Sequence, residues 1–537
     1  MTMRRILILL GLLGAPLAAR AFEMPWTEGR ASLDLVETLV FDYHDDNRDA
    51  LPAAKNDHYQ DLRNRFNLLL TMGDYAAYTR FDTATFWNEK NPLLSDQYVL
   101  EKIGASRDGR LLRLDVGDFY ATFGRGMALR IRKIDELGVD TTLLGAKARL
   151  RSDPLELTVL SGLSNPSNLD GVNEHEVVGV LDWISGLELK WRALSCATLG
   201  FHAVTMLFDL DRSARAETLI AGLTLDLPMV LPFLNFYAEL DVKGWGDFLG
   251  FHSLAGYASA QASWQNLTWL LEVKHYDDYS LVSGDTAGLS GEKLFRIEYV
   301  KPPTLEPDDT EISNNQNLTG AHTRIDHRPF GGATMLYVSF AGFLAQDLLD
   351  VGARAIYHAR AGVEQLFLAT GRFQLEGGFR EEDPDYPTEN APRLWTLRAV
   401  LRVPLGGSHG VDLRGFHWWG EYVGAGKEYL LGEWSIGYSF SPLLDLSWIV
   451  GYDTRQSGSR DLREFYPVVV ATADGGEEIF RKRQVFYSGA ITLKVWQERL
   501  LFRVLAGTLR GGKKCFAGSC REIDPFAGVR FETVVRL

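Results

Sequence analysis

From Gly117 to Arg151 the chain twice sets a basic residue at every second position between apolar ones. Arg130 and Arg132 interleave with Leu129 and Ile131, and Lys147, Arg149 and Arg151 with Ala146, Ala148 and Leu150. A helix would scatter these charges around its circumference, whereas a strand sends successive side chains to opposite faces. The pattern therefore predicts strands with one oily and one charged face. In a soluble sandwich the oily face is the core; in an outer-membrane barrel it meets lipid and the charged face lines a polar lumen.

The same alternation recurs to the C-terminus. Leu430, Trp434, Ile436 and Tyr438 share a face opposite Glu433 and Ser435, and Val529, Phe531 and Val535 lie opposite Arg530, Glu532 and Arg536. Short turns near Pro442 and Gln497 alternate with long polar connections at about 454–482 and 510–523, as in barrels with short periplasmic turns and long outer loops. Aromatic residues gather near strand ends, at Trp264, Trp269, Trp418, Trp419, Tyr438, Tyr452 and Tyr487, where an interfacial girdle is expected. Roughly 24 segments have the length of a spanning strand (range roughly 22 to 26). The expectation is an all-β chain forming one large antiparallel transmembrane β-barrel over residues 22–537. The segment 302–331 reads either as one long loop or as hiding a strand around His322 to Arg328. Any blockage of the lumen is expected from inward-folded loops, with 302–331 and 454–482 the candidates, since few mature residues precede the first strand at Ala31.

The N-terminus supplies an address. Arg4 and Arg5, an apolar run from Ile6 to Leu17 and the small-x-small triplet Ala19-Arg20-Ala21 read as a secretory signal peptide over residues 1–21. No later run reaches the roughly 18 apolar residues a spanning helix needs, so membrane crossing falls to strands. The net charge of -14 speaks against a nucleic-acid partner, which calls for a basic surface. Three cysteines are too few for a disulfide-built fold; Cys515 and Cys520 are placed to close a small outer loop, leaving Cys196 over.

Gly117-Asp118-Phe119-Tyr120, then Phe123-Gly124, Gly126, and further on Leu137-Gly138, Asp140, Leu143 and Gly145 resemble the pattern of a family of uncharacterised bacterial outer-membrane proteins. That family carries G-D-[FY]-Y-x-x-F-G-x-G followed by L-G-[IV]-D-x-x-L-x-G. The resemblance covers about thirty residues. It implies a large outer-membrane barrel and no activity.

Sequence motifs for nucleophilic, zinc or nucleotide chemistry are missing: no H-E-x-x-H, G-x-S-x-G, paired C-x-x-C or Walker pattern occurs. A non-enzyme with no metal and no cofactor is expected. The runs at 173–176 and 274–279 and the acidic stretches at 306–311 and 380–389 read as solvated. The sharp candidate is a basic stripe of Arg113, Arg130, Arg132, Lys147, Arg149 and Arg151 on three neighbouring strands, with Asp115 and Asp118 among it. Charges facing lipid at mid-depth cost about 2–4 kcal/mol each, so the stripe is assigned to the lumen. It is either a wall that draws anions or a ladder neutralised by carboxylates. The functional expectation is a conduit for small solutes in the outer membrane of a Gram-negative bacterium. The alternatives are a scaffold or secretion partner with a loop-filled lumen and, further off, a secreted soluble β-protein. Outer-membrane lipid and lipopolysaccharide, and the barrel-assembly machinery during biogenesis, are the expected partners.

Overall fold

The computed structural model describes residues 31–45, 58–88, 95–168, 182–208, 216–245, 250–279, 297–301, 303, 317–329, 332–346, 353–368, 370–382, 393–422, 427–455, 457, 459–471, 477–516, 519–523 and 525–537. The proposed leader and the stretches 173–176 and 306–311 lie outside them, as does all of 380–389 beyond Glu382.

Twenty-four strands form one closed antiparallel barrel, from Ala31–His44 to Phe526–Arg536. Each pairs with its chain neighbour, and the first pairs with the last, with Phe41 opposite Phe531 and Val36 opposite Arg536. Two further bonds, from the Leu35 amide to the Leu537 carbonyl at 3.0 Å and back at 2.9 Å, zip this seam to its end. Closure leaves no unpaired sheet edge at this joint, the condition under which strands can cross lipid.

The two faces divide as alternation predicts. Leu223, Leu240, Val338, Ile436 and Trp448 point outward and are more than half exposed, while Glu188, His202, Glu239, Asp241 and Lys243 point inward and are buried. An exterior of this kind suits hydrocarbon; a soluble protein would need the reverse. Connections are short at one end of the barrel, as at Gly73-Asp74 and Gln265-Asn266, and long at the other. Among the described residues no helix is long and apolar enough to cross a membrane.

Of the two readings of 302–331 the hidden strand is the one found: Leu318–His327 belongs to the barrel and is paired on both sides. Other expectations change. Trp418 leaves the proposed girdle: it is buried on the inner face with Leu394, Tyr429 and Leu431. In the stretch 274–279, taken as solvated, Tyr276 and Tyr279 are buried in an apolar cluster inside the barrel. The largest change concerns Arg130 and Arg132. The strand Leu112–Phe119 pairs directly with Val139–Ser152, so the wall has no place for a strand between them. Residues 120–138 instead fold inward.

Candidate functional site

The inward segment is built from two-faced pieces. Ala121–Phe123 and Leu129–Ile131 form a small hairpin, and Lys133–Ile134 returns to pair with Val139 and Asp140 on the wall. A short turn of 3-10 helix, Asp135–Leu137, follows, and Gly138 closes it at φ 64°, where glycine is favoured. Residues 297–301 lie alongside: the Arg130 amide donates to the Tyr299 carbonyl at 2.7 Å and the Lys301 amide to the Gly126 carbonyl at 2.8 Å. Phe123, Met127, Leu129 and Ile131 are fully buried against Ile184, Val204, Met206, Phe208, Ile220 and Ile356 of the wall. Burying side chains of this size contributes about 1.5–3 kcal/mol each. Wall residues of this cluster, with Tyr237 packed against it, come from twelve consecutive strands, from Leu112–Phe119 round to Ala353–Phe367.

The tip of the hairpin is pressed onto wall carboxylates. The Gly124 amide donates to Glu188 at 3.2 Å and the Arg125 amide to Glu239 at 2.8 Å. The Arg125 guanidinium lies 4.1 Å over the Tyr237 ring and donates to the Tyr257 hydroxyl at 3.3 Å. A Cβ at Gly124 would collide with Glu239 Oε1, so the close approach demands glycine there.

Where the chain leaves the wall, side chains replace the backbone ladder. The strand Gln97–Asp108 pairs with Leu112–Phe119 only from Gly104 to Asp108. Beyond that point the Asp118 carboxylate accepts the Ile103 amide at 2.8 Å, the Thr142 hydroxyl at 2.7 Å and the Asn165 amide group at 2.6 Å. Lys102 donates to the Thr142 hydroxyl at 3.0 Å, Asn165 to the Glu101 carbonyl at 3.1 Å, and Tyr120 to Asp140 at 2.7 Å, while Arg80 pairs with Asp140. The motif positions thus have physical tasks: Asp118, Tyr120 and Asp140 seal this seam, Phe123, Gly124 and Gly126 make the tip, and Phe119 and Leu143 face the inner core.

The basic residues separate accordingly. Arg113, Lys147, Arg149 and Arg151 line the lumen on two adjacent strands, not three, and each has a carboxylate beside it. Arg113 lies 3.3 Å from Asp115, Lys147 3.1 Å from Asp115, Arg149 2.7 Å from Glu156 and Arg151 3.5 Å from Asp108. Arg130 and Arg132 belong to the inner segment, and Asp118 to the seam. Cys515 and Cys520 stand directly opposite one another in a two-stranded hairpin, Gly512–Phe516 with Ser519–Ile523.

Sequence reasoning missed one group entirely. Glu188, His202, Glu239 and Asp241 converge on the inner wall beneath the tip, from the strands Trp183–Leu194, Ala197–Phe208 and Leu234–Trp245, three of four consecutive wall strands. Register shows why they meet: Glu188 is opposite His202, His202 opposite Gly222, and Gly222 opposite Asp241. Taken singly, each is an unremarkable inward polar position.

Fold and site together define a large membrane-spanning β-barrel that carries its own inner segment. Residues 3–192 match the model of a family of unknown function, DUF6029, a span that contains the motif positions. Among curated proteins there is no match. Among solved structures, a point mutant of the ferric enterobactin receptor of Pseudomonas aeruginosa aligns at a TM-score of 0.46 and 10% identity, covering 94% of this chain and 80% of the receptor. OpdK of the same organism, solved with vanillate, aligns at 0.39 and 12% identity over 66% of this chain and 94% of its own. The siderophore receptor PirA, also from Pseudomonas aeruginosa, aligns at 0.46 and 10% identity, covering 94% and 80%.

Proposed function

We propose that the protein is a conduit for small solutes in the outer membrane of a Gram-negative bacterium, its passage narrowed by the segment 120–138. One observation carries this reading: the described inner segments pack on twelve of the twenty-four strands, while the remaining wall presents ion-paired polar side chains to the lumen. Examples are Arg372 with Glu364 at 3.0 Å and Lys494 with Asp445 at 2.7 Å. Barrels of roughly 16–18 strands already enclose an aqueous channel, so a wider wall lined this way favours passage of hydrated solutes.

The test is conductance of the purified full-length protein in planar bilayers. Stepwise currents are expected, larger in a variant whose residues 121–137 are replaced by a Gly-Ser linker, with heat-modifiable gel migration confirming that both barrels fold. A folded wild-type protein that carries no current would sink the conduit reading and leave a scaffold with a filled lumen.

A further inference from the structure

We propose that His202, Glu239 and Asp241 form a binding site for a first-row divalent metal ion that fixes the tip of the inner segment to the wall. The inference stands whether or not the barrel conducts. One nitrogen and two carboxylate oxygens, a donor atom from each residue, lie within 4.8 Å of one another. His202 and Asp241 are fully buried and Glu239 nearly so. His202 Nε2 contacts Asp241 and lies 4.0 Å from Glu239 Oε1.

One further observation points to a ligand. Glu239 Oε1 and Asp241 Oδ2 are buried without a hydrogen-bond partner. Buried polar atoms in a settled structure are nearly always satisfied, and an unsatisfied charged one costs the most. Gly222, the residue between His202 and Asp241 in the register, has no side chain and so lets these two meet over it: a Cβ there would collide with Asp241 Oδ1 and stand 2.5 Å from His202 Nε2.

Charge balance distinguishes this triad from a similar one. Asp42, His44 and Asp61 also cluster, but Arg530 donates to Asp42 at 2.7 Å and Arg63 reaches both carboxylates, lying 2.8 Å from Asp61. Guanidinium groups do there what an ion would do. Among the described residues no lysine or arginine side chain pairs with Glu239 or Asp241; Lys190 pairs with Glu188, and Arg125 offers Glu239 only its backbone amide. A divalent ion neutralises two carboxylates and takes a neutral imidazole as its third ligand, a donor set suited to Zn2+ and its neighbours.

The probe is Zn2+ itself, added to tag-free full-length protein stripped with EDTA and then desalted. About one zinc per chain is expected by elemental analysis, with a higher temperature for the heat-modifiable gel shift. His202→Gln and Asp241→Asn should lose the bound zinc and the shift, whereas His44→Gln should keep both. A wild-type protein that retains no zinc overturns the proposal, as does retention in the folded His202→Gln or Asp241→Asn barrel, or loss in His44→Gln. Should the first two variants fail to fold, X-ray absorption on the zinc-loaded wild type and His44→Gln proteins decides. One imidazole with oxygen donors at about 2.0–2.2 Å in both supports the site, and sulfur or a second imidazole refutes it.

Discussion

At the scale of single residues, Asp118 shows how a carboxylate can stand in for a strand. Three donors converge on it, one of them a backbone amide whose ladder partner has left the wall. Removing the carboxylate leaves buried donors unpaired, at about 1–3 kcal/mol each. Asp118→Ala is therefore expected to lower the temperature of the heat-modifiable gel shift, and Asp118→Asn, which keeps an acceptor oxygen, to lower it much less. Equal loss in both would mean that the charge, not the hydrogen bonds, holds the seam. Arg149 is the opposite case. Because Glu156 lies 2.7 Å away, the stripe presents little unbalanced charge, and the double change Arg149→Gln with Glu156→Gln, which removes the pair without leaving a lone carboxylate, is expected to leave the reversal potential in a salt gradient where it was. A swing towards cations would show that the stripe sets the path of ions after all.

At the scale of elements, alternation proved informative about strands and silent about what their oily faces touch. Leu129-Arg130-Ile131-Arg132 has the pattern of a wall strand because it is a strand, but Leu129 and Ile131 face an apolar core inside the barrel and not lipid. The legible warning was length: the alternation runs only from Leu129 to Arg132, far short of the roughly 9–11 residues a spanning strand needs. The converging His202, Glu239 and Asp241 left no such trace, since sequence spacing carries no record of cross-strand register. The tip can be tested as an element. Gly124→Val, at φ 57° and against Glu239, is expected to unseat the hairpin while the wall stays closed, seen as new protease cleavage within 121–137 in a barrel that still resists heat. The outer hairpin offers a second test. Its register sets Cys515 opposite Cys520, and a disulfide there predicts no thiol labelling at either position until reductant is added.

At the scale of the whole molecule, the two faces of the wall should answer oppositely to charge. Leu240 sits mid-strand on the lipid side, and Leu240→Arg is expected to cost about 2–4 kcal/mol, measured by urea titration of the folded band in lipid vesicles. Indifference to that change would contradict a bilayer-facing exterior. Closure itself has a consequence in time. Asp42 bonds Arg530 across 488 residues of chain, so the ring cannot be completed until the last strand has emerged. The hairpin at 121–137 is made long before the strands it rests against, and it is tied to the wall at both ends. It must therefore already point inward while the sheet is still an open curve, and the joining of the first and last strands then traps it, much as a ship is enclosed by its bottle.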